Sequence, residues 1–340
     1  MQQEPRNGSI DLHAYLERLG LRQPVAPDLQ TLRAIITAHV ATIPFENLDP
    51  FLGISPALDI ASVQRKLVHE GRGGYCFEQN RLLSDALHAI GFEVTDLAAR
   101  VLWGQPEDAI TARTHMLLRV EAEGKSWLAD VGFGGNTPTG PLQLAPDIEQ
   151  ATLHEPFRLI RRDDSDWRLQ LFAADAWQTL YRFNLQPQYP ADYRVSNYWT
   201  STNPASHFVT GLTAARAPAG LRLTLRNRQF TEHATGGETT KHTLATTAEM
   251  RAVLQDEFLI RLPDNPELDD MVGRLPSTRM QAHERKLLGS VTRESAAGTA
   301  SDHVSTDAIN SFRSMTTPRA GAADCPRPRQ PARCARKIRR

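Results

Sequence analysis

Hydrophobic residues recur with the spacing of an amphipathic helix over the first 90 residues of the chain. From Leu12 to Leu19 they lie at i, i+3, i+4 and i+7, which places them on one helix face. A second such run ends before Pro44, because proline disfavours α geometry at the residue that precedes it, and Gly91 is a typical helix stop. Four helices are predicted, over residues 12–19, 29–40, 63–69 and from 75 or 76 to 90.

Shorter runs with strand character follow Gly91. They are rich in β-branched and aromatic residues and partly alternate between apolar and polar positions, as half-buried strands do. Strands are predicted over residues 92–103, 114–120, 125–131, 157–160, 167–172, 177–183 and 221–225. Helical spacing returns over residues 189–199 and 247–257. Helices first, then strands, then a mixed segment predict an α+β fold rather than a regular βαβ alternation.

The composition is that of an ordinary soluble protein with a substantial core. Of 340 residues, 40% are hydrophobic and 23% are charged. No stretch approaches the ~18 consecutive apolar residues of a membrane span, and the first residues lack the apolar region of a secretory signal. Three cysteines are too few for a disulfide framework. We therefore expect a cytoplasmic protein that does not contact membranes.

Charge is distributed unevenly, although the formal net charge is +0. Residues 272–340 carry 14 Lys and Arg against 5 Asp and Glu, whereas residues 1–271 carry 25 against 34. An acidic body with a basic end gives no overall nucleic-acid signal. Because Pro, Arg, Ser, Thr and Ala dominate residues 271–340, we expect a disordered basic tail there. Contact with an acidic partner and a reading-frame slip are the alternatives, and Cys325 and Cys334 receive no role.

A cysteine follows a glycine pair closely at the point where the fourth helix is predicted to begin. Residues 72–80 read RGGYCFEQN, and the two glycines allow a tight turn with close backbone approach. Cys76 would then lie at the positive end of the helix dipole, which stabilises a thiolate, and Arg72 would add positive charge nearby. The alternative is a buried, inert cysteine.

A histidine and an aspartate are expected to meet in the next part of the chain. The strands over residues 114–120 and 125–131 flank a short turn over residues 121–124. A hairpin with that turn places His115 opposite or diagonally adjacent to Asp130, and directly opposed residues have Cβ atoms about 4.5–5.5 Å apart. An ordinary cross-strand polar pair is the alternative.

Cys76, His115 and Asp130 together would supply a nucleophile, a base and a group that orients the base. Asp130 would hold one imidazole nitrogen, and the other nitrogen would take the thiol proton, which prepares the sulfur to attack an acyl carbon. The sequence has no G-x-x-x-x-G-K-[ST] phosphate loop, no G-x-G-x-x-G dinucleotide motif and no Cys/His set with zinc spacing. We therefore expect no metal site.

Several motifs resemble the arylamine N-acetyltransferase family, in the same order and at similar separations. They are RGGYCFEQN over residues 72–80, IPFENLD over 43–49, DVGFGGNTP over 130–138 and STNPASHF over 201–208, and the likeness continues to about Pro263. The resemblance implies a catalytic triad at Cys76, His115 and Asp130. It also implies a helical bundle, a β-barrel-like middle and an α/β lid, which we expect over residues 1–91, 92–200 and 201–270.

The resemblance implies a chemical reaction and its substrates as well. Acetyl would pass from acetyl-CoA to an arylamine or arylhydrazine nitrogen, or to the oxygen of an N-hydroxyarylamine, through an acetyl-cysteine in a ping-pong sequence. Acetyl-CoA would be a cosubstrate, and no cofactor would be tightly bound. The residues expected around the aromatic acceptor are Phe45, Val101, Phe133 and Phe208. Those expected at CoA are Gly134, Gly135 and His233. The alternative for the four apolar residues is core packing, that for the glycines is a glycine-rich strand exit, and that for the histidine is a surface position.

Other functions could use the same three side chains. A cysteine hydrolase of papain or transglutaminase type would pass the acyl group to water or exchange an amide, and an amide synthase would close a ring. A binding module could keep the fold without activity. The natural acceptor amine, the preferred acyl chain and the oligomeric state are left open by the sequence.

Overall fold

Residues 8–275 are described by the computed structural model, and they form nine α-helices and thirteen β-strands. The helices are α1 Leu12–Arg18, α2 Leu29–Thr42, α3 Leu48–Phe51, α4 Ile60–Gln64, α5 Cys76–Ile90, α6 Pro190–Thr202, α7 His207–Thr210, α8 Thr247–Ala252 and α9 Glu267–Gly273. Single π-helical turns over Arg65–His69 and Val253–Glu257 continue α4 and α8, respectively. The α+β fold class predicted from the sequence is confirmed.

The strands are antiparallel to one another wherever they pair. They are β1 Phe45–Glu46, β2 Glu93–Val101, β3 Arg113–Ala122, β4 Lys125–Ala129, β5 Leu142–Gln143, β6 Glu149–Gln150, β7 Phe157–Asp163, β8 Asp166–Ala173, β9 Ala176–Phe183, β10 Thr213–Arg216, β11 Leu221–Arg226, β12 Gln229–Ala234 and β13 Thr239–Thr243.

Local sequence explains where the N-terminal helices begin and end. Asp28 caps α2 by accepting a hydrogen bond from the N–H of Thr31 at 2.7 Å. Ile43 is extended, because Pro44 follows it. Gly91 ends α5 with a φ of +108°, a conformation that favours glycine. The four predicted N-terminal helices are confirmed, and the third consists of α4 and its π-helical turn.

Eight strands form a nearly closed, barrel-like sheet in the order β5-β4-β3-β2-β9-β8-β7-β6. Its two edges meet at Gln150, whose side chain accepts from the N–H of Gln143 at 2.7 Å and donates to the Gln143 carbonyl at 2.9 Å. Alternate residues point inward, and buried leucines and aromatic rings such as Phe157 and Tyr181 fill the interior. On the outside, α5 packs against β2 and β3.

A second sheet has the order β1-β10-β11-β12-β13. One of its faces packs with α3, α8 and α9 around the buried Met250 and Phe258. Sequence patterns predicted β11 but missed the other four strands. The segment boundaries expected at residues 91, 200 and 270 stay predictions, although Phe45, from the N-terminal segment, pairs with Ala215 in this sheet.

The folded body continues past residue 270, where the tail was expected to begin. Helix α9 reaches Gly273, and Val272 and Leu275 are buried in the core of the second sheet. Arg228 donates to the carbonyl oxygens of Val272 at 3.0 Å and Leu275 at 3.1 Å. The described body therefore extends at least five residues past the expected start of the tail, which stays a prediction, and the remainder of that segment, with Cys325 and Cys334, lies outside the described residues.

Candidate active site

Helix α5 presents Cys76 at its first position, beside a loop whose backbone segments lie very close together. A Cβ atom built on Gly73 would lie 2.0 Å from the carbonyl oxygen of Pro44, so no side chain fits there. The Cys76 side chain is buried, and its sulfur donates to the carbonyl oxygen of Thr114 at 3.5 Å. The glycine pair thus lets the chain bring the thiol from a helix start against strand β3.

A network of buried charges lies behind this loop. Arg72 contacts Glu46 at 2.8 Å and Asp49 at 2.9 Å, and Lys66 contacts Asp49 at 2.6 Å and Glu78 at 2.7 Å. Burial raises the pKa of Glu78 to about 7, although the Lys66 charge opposes that rise. The expectation that Arg72 supplies positive charge to the thiol is wrong, because two carboxylates neutralise its guanidinium.

The hairpin of β3 and β4 differs from the predicted one by two residues in register. Ala122 pairs with Lys125, which leaves a two-residue turn of Glu123 and Gly124 in place of the expected four-residue turn. Both turn residues have positive φ, +52° and +71°, as in the hairpin turn whose twist matches that of the strands. A shift of two residues keeps every side chain on the predicted face.

His115 and Asp130 meet as predicted, although Asp130 lies one residue beyond β4. Nε2 of His115 and Oδ2 of Asp130 are 2.6 Å apart, and both side chains are buried. Oδ2 also accepts from the Tyr181 hydroxyl at 2.9 Å. Oδ1 accepts from Asn80 at 3.0 Å and from the N–H of Gly132 at 2.9 Å. The carboxylate is therefore held at both oxygens and has little freedom to turn away from the imidazole.

The segment after Asp130 also approaches Cys76 directly. A Cβ atom on Gly132 would lie 2.7 Å from the Cα of Cys76 and 2.8 Å from the side-chain nitrogen, Nδ2, of Asn80. Asn80 lies one turn after Cys76 in α5, and it also donates to the carbonyl of Met116 at 2.7 Å. Helix α5 and the β3–β4 hairpin are thus joined by one buried asparagine.

The electrostatics of this cluster favour a charged imidazole. Burial lowers the pKa of His115, but the Asp130 charge and hydrogen bonds to Asp130 and Cys76 outweigh it and raise the pKa to about 10. Burial raises the pKa of Asp130, yet the His115 charge and its hydrogen bonds leave that pKa below the usual value. Because Nε2 faces Asp130, the other ring nitrogen, Nδ1, is the one available to the thiol.

The four apolar residues expected at the acceptor lie in two groups around this cluster. The Phe133 ring centroid is 5.0 Å from that of His115, and Val101 pairs across the sheet with Tyr181. Phe208 contacts Phe45, with ring centroids 6.0 Å apart. Phe133 thus contacts His115 directly, and Phe208 lies against Tyr75, the residue before Cys76, with ring centroids 5.7 Å apart. A role for these four residues in binding an acceptor stays a prediction.

Two of the three residues expected at CoA are linked by one arginine side chain. The carbonyl of Gly135 accepts from Arg222 at 3.2 Å, and His233 is the cross-strand neighbour of Arg222. Gly134 lies against Phe45 instead: a Cβ atom there would be 3.6 Å from that ring. Arg222 therefore connects two of the three predicted positions, and sequence reasoning missed it.

Comparison with known proteins agrees with the motifs. A sequence model of the family described as N-acetyltransferase matches residues 28–267. The arylamine N-acetyltransferase of Mycobacterium tuberculosis is 42% identical over 280 residues, which cover 79% of this chain and 98% of the relative. The chain belongs to the arylamine N-acetyltransferase family. It is accordingly an acyltransferase.

Other members of the arylamine N-acetyltransferase family agree in sequence and in fold. The Salmonella typhimurium protein named arylamine N-acetyltransferase / N-hydroxyarylamine O-acetyltransferase is 39% identical over 254 residues, covering 74% of this chain and 90% of that protein. The structure of the Mycobacterium marinum enzyme in complex with CoA has a TM-score of 0.75 and 39% identity. That match covers 78% of this chain and 99% of the other.

Sequence reasoning missed two residues of the cluster in this family member. Asn80 is detectable in principle, since a polar residue four positions after a helix-start cysteine lies on the same helix face. Tyr181 is 51 residues from its partner Asp130, and no local pattern in the sequence connects the two.

The described part of this arylamine N-acetyltransferase family member holds a cavity away from the candidate active site. Between residues 8 and 275 no cluster of three or more His, Cys, Asp or Glu side chains could hold a metal ion. No helix in that range is long and apolar enough to cross a membrane. The largest of the cavities described, about 610 Å³, is lined by residues such as Arg33 and Trp127, none of which belongs to the Cys76 cluster.

Proposed function

We propose that the protein transfers acetyl from acetyl-CoA to arylamines and arylhydrazines, and to the oxygen of N-hydroxyarylamines, through an acetyl group on Cys76. The observation that carries the proposal is the 2.6 Å contact between His115 and Asp130 beside the buried thiol. The names of the relatives from Mycobacterium tuberculosis and Salmonella typhimurium and the CoA-bound neighbour support the choice of substrates.

The first half-reaction forms the acetyl-enzyme. Nδ1 of His115 takes the proton of the Cys76 thiol, and the thiolate attacks the thioester carbonyl of acetyl-CoA. The carbon–sulfur bond to CoA then breaks, and the departing CoA sulfur receives the proton from His115. Acetyl-cysteine and free CoA thiol result, with the imidazole neutral again.

The second half-reaction transfers acetyl to the acceptor. The amine nitrogen attacks the carbonyl of acetyl-Cys76 and gives one proton to His115. The bond between the acetyl carbon and the Cys76 sulfur breaks, which releases the amide and leaves a thiolate beside a protonated imidazole. CoA leaves before the amine reacts, so the mechanism is ping-pong.

The side chains around Asp130 act by positioning and charge. Asp130 holds the tautomer that presents Nδ1 to the thiol and stabilises the imidazolium. Asn80 and Tyr181 restrain the carboxylate through their hydrogen bonds at 3.0 and 2.9 Å. The first N–H groups of α5 have no intrahelical acceptor, and those of Cys76 and Phe77 can stabilise the oxyanion of each tetrahedral intermediate.

The remaining predicted residues would bind the two substrates. An aromatic amine is flat and apolar, and the rings of Phe45, Phe133 and Phe208 with the Val101 side chain offer matching surface. Gly134, Gly135 and His233 would contact CoA, because backbone without side chains can approach its phosphates closely. In this proposal the second sheet acts as the lid over the CoA cleft, and no cofactor is bound tightly.

Initial rates of CoA thiol release test the proposal. With acetyl-CoA and 4-aminobenzoate we expect release that depends on the amine, with parallel double-reciprocal plots. Cys76→Ser should abolish release, because a serine hydroxyl is far less ionised at neutral pH than a thiol, whereas Cys325→Ser is the matched control and should not. Thiol release that is independent of the amine would contradict the proposal and indicate a hydrolase.

A further inference from the structure

Four arginines stand side by side across neighbouring strands of the barrel-like sheet. Arg113 on β3 is the cross-strand neighbour of Arg100 on β2. Arg100 is in turn opposite Arg182 on β9, and Arg182 is opposite Arg168 on β8. Side chains of directly paired residues lie on the same face of a sheet, and like charges placed opposite each other are destabilising. The row of arginines therefore destabilises the folded protein. Such a cost suggests that these arginines serve a function.

The four arginines differ in how their charges are neutralised. Arg168 is paired with Asp166 at 2.9 Å and with Glu107 at 3.2 Å. Among residues 8–275, Arg113 and Arg182 have no ion pair, and Arg100 donates only to a backbone carbonyl, that of Thr111. Three neighbouring guanidinium groups thus have no carboxylate partner there.

These three arginine side chains line one cavity of about 370 Å³. Its lining includes Arg100, Arg113 and Arg182 together with the polar side chains of Ser165 and Asn184. All three arginines are partly buried. Burial and the nearby charges of Arg113 and Arg182 lower the pKa of Arg100, which is the direction expected of cations held together without a counterion.

Two carboxylates also line the cavity, and neither removes its positive character. Asp166 is engaged by Arg168. Asp163 is exposed and accepts from the N–H and hydroxyl of Ser165, both at 2.7 Å. Three unpaired arginines therefore face one carboxylate that already has two donors, and the cavity keeps a positive excess.

The cavity and the candidate active site lie on opposite faces of the same strands. Val101 and Tyr181 pair with each other, as do the adjacent Arg100 and Arg182, and successive residues of a strand point to opposite faces. The Tyr181 hydroxyl reaches Asp130 on one face, so the arginines open on the other. The site is therefore separate from the cluster around Cys76.

We propose that this cavity binds a phosphoryl group carrying at least two negative charges. Three guanidinium groups that line one cavity provide enough donors for the oxygens of a phosphate or diphosphate. Each planar guanidinium can donate two parallel hydrogen bonds to such oxygens. Bound phosphate would offset the mutual repulsion of the arginines, and Ser165 and Asn184 supply further polar contacts. The ligand would be either a phosphate group of CoA other than the one that approaches Gly134 and Gly135, or the phosphoryl group of an independent molecule.

Calorimetric titration of the full chain with inorganic pyrophosphate tests this proposal. We expect binding by the wild type and a loss of about tenfold or more in Arg100→Gln and Arg182→Gln, since each removes charged hydrogen bonds. Arg226→Gln, an exposed arginine of β11 outside the cavity, should bind as the wild type does. Absence of binding by the wild type, or equal weakening in Arg226→Gln, would overturn the proposal.

Two further measurements complete the test. Pyrophosphate should raise the melting temperature of the wild type clearly more than that of Arg182→Gln, which separates weakened binding from failed folding. An equal rise in both would overturn the site. If CoA phosphates are the ligand, CoA displaces pyrophosphate and Arg182→Gln raises the KM for acetyl-CoA. If the ligand is independent, pyrophosphate binds beside CoA and KM is unchanged. Either result supports the site, whose readout is binding and does not depend on acetyl transfer.

Discussion

Replacing Asp130 with asparagine removes one negative charge from beside His115 and preserves the shape of the side chain. The pKa of His115 is about 10 in the folded protein, against an ordinary value of 6.5, which corresponds to about 5 kcal/mol in favour of the protonated imidazole. Because His115 is buried, and burial lowers its pKa, we expect its pKa in Asp130→Asn to fall below 6.5. The imidazole would then be mostly neutral at pH 7.

The loss of activity follows from this change in charge. A neutral imidazole cannot stabilise the thiolate of Cys76, and an asparagine can hold the wrong ring tautomer. Only part of the 5 kcal/mol differs between ground state and transition state, so we expect kcat/KM at pH 7 to fall by about 1,000-fold. Alkylation of Cys76 by iodoacetamide should slow in the same variant.

The assay is acetyl transfer to 4-aminobenzoate measured as a function of pH, with Tyr181→Phe as the matched control. That control keeps the Asp130 charge and removes one hydrogen bond to its Oδ2, so we expect a loss of about tenfold or less. A kcat/KM of Asp130→Asn within about threefold of the wild-type value, with the same pH profile, would contradict the role assigned to the Asp130 charge.

The same pair makes stability depend on pH. The raised pKa of His115 means that its contribution to the free energy of unfolding is complete below about 6.5 and is lost as the pH rises through about 10. The wild type should therefore lose stability between pH 7 and pH 10 in urea titrations, and Asp130→Asn should lose less over that range. Equal losses in both proteins would contradict the assigned cause.

Three further predictions concern the surroundings of the site. Gly132→Ala should lower kcat/KM by about tenfold or more, because a Cβ atom there would lie 2.7 Å from the Cα of Cys76; Gly140→Ala, with no atom within 4 Å, is the control, and equal rates in both would count against the close approach. Arg72→Met should lower the free energy of unfolding by about 3–5 kcal/mol in urea, because it leaves buried carboxylates with less compensation, and a change below about 1 kcal/mol would oppose that role. Val272→Ala should cost about 2 kcal/mol, and an unchanged unfolding midpoint would mean that α9 contributes nothing to the core.

Local signals in the sequence predicted the contact between His115 and Asp130 but not the register of the hairpin. The glycine pair before Cys76 and the periodic apolar residues after it determine α5, because both act within one or two helix turns. The contact between His115 and Asp130 was predicted correctly even though the predicted register of the hairpin was wrong by two residues. Side chains alternate along a strand with a period of two, so such a shift leaves each on the same face. An error of one residue would have separated the pair.

Long-range contacts explain what the sequence could not predict. Tyr181 reaches Asp130 only because β9 pairs with β2 across the barrel. Phe45 belongs to an N-terminal segment, yet it extends the second sheet through pairing with Ala215. The sequence places the positive charge of Arg72 near the Cys76 thiol. Only the fold shows that the carboxylates of Glu46 and Asp49 pair with that guanidinium.

In the proposed mechanism, acetyl passes through the sulfur of Cys76. Mass spectrometry of the protein mixed with acetyl-CoA in the absence of amine tests it most directly. We predict one acetyl group on the peptide that contains Cys76, and its disappearance, with formation of the acetylated amine, when 4-aminobenzoate is added. Rapid amine acetylation by a protein that never carries acetyl on Cys76 would contradict the account.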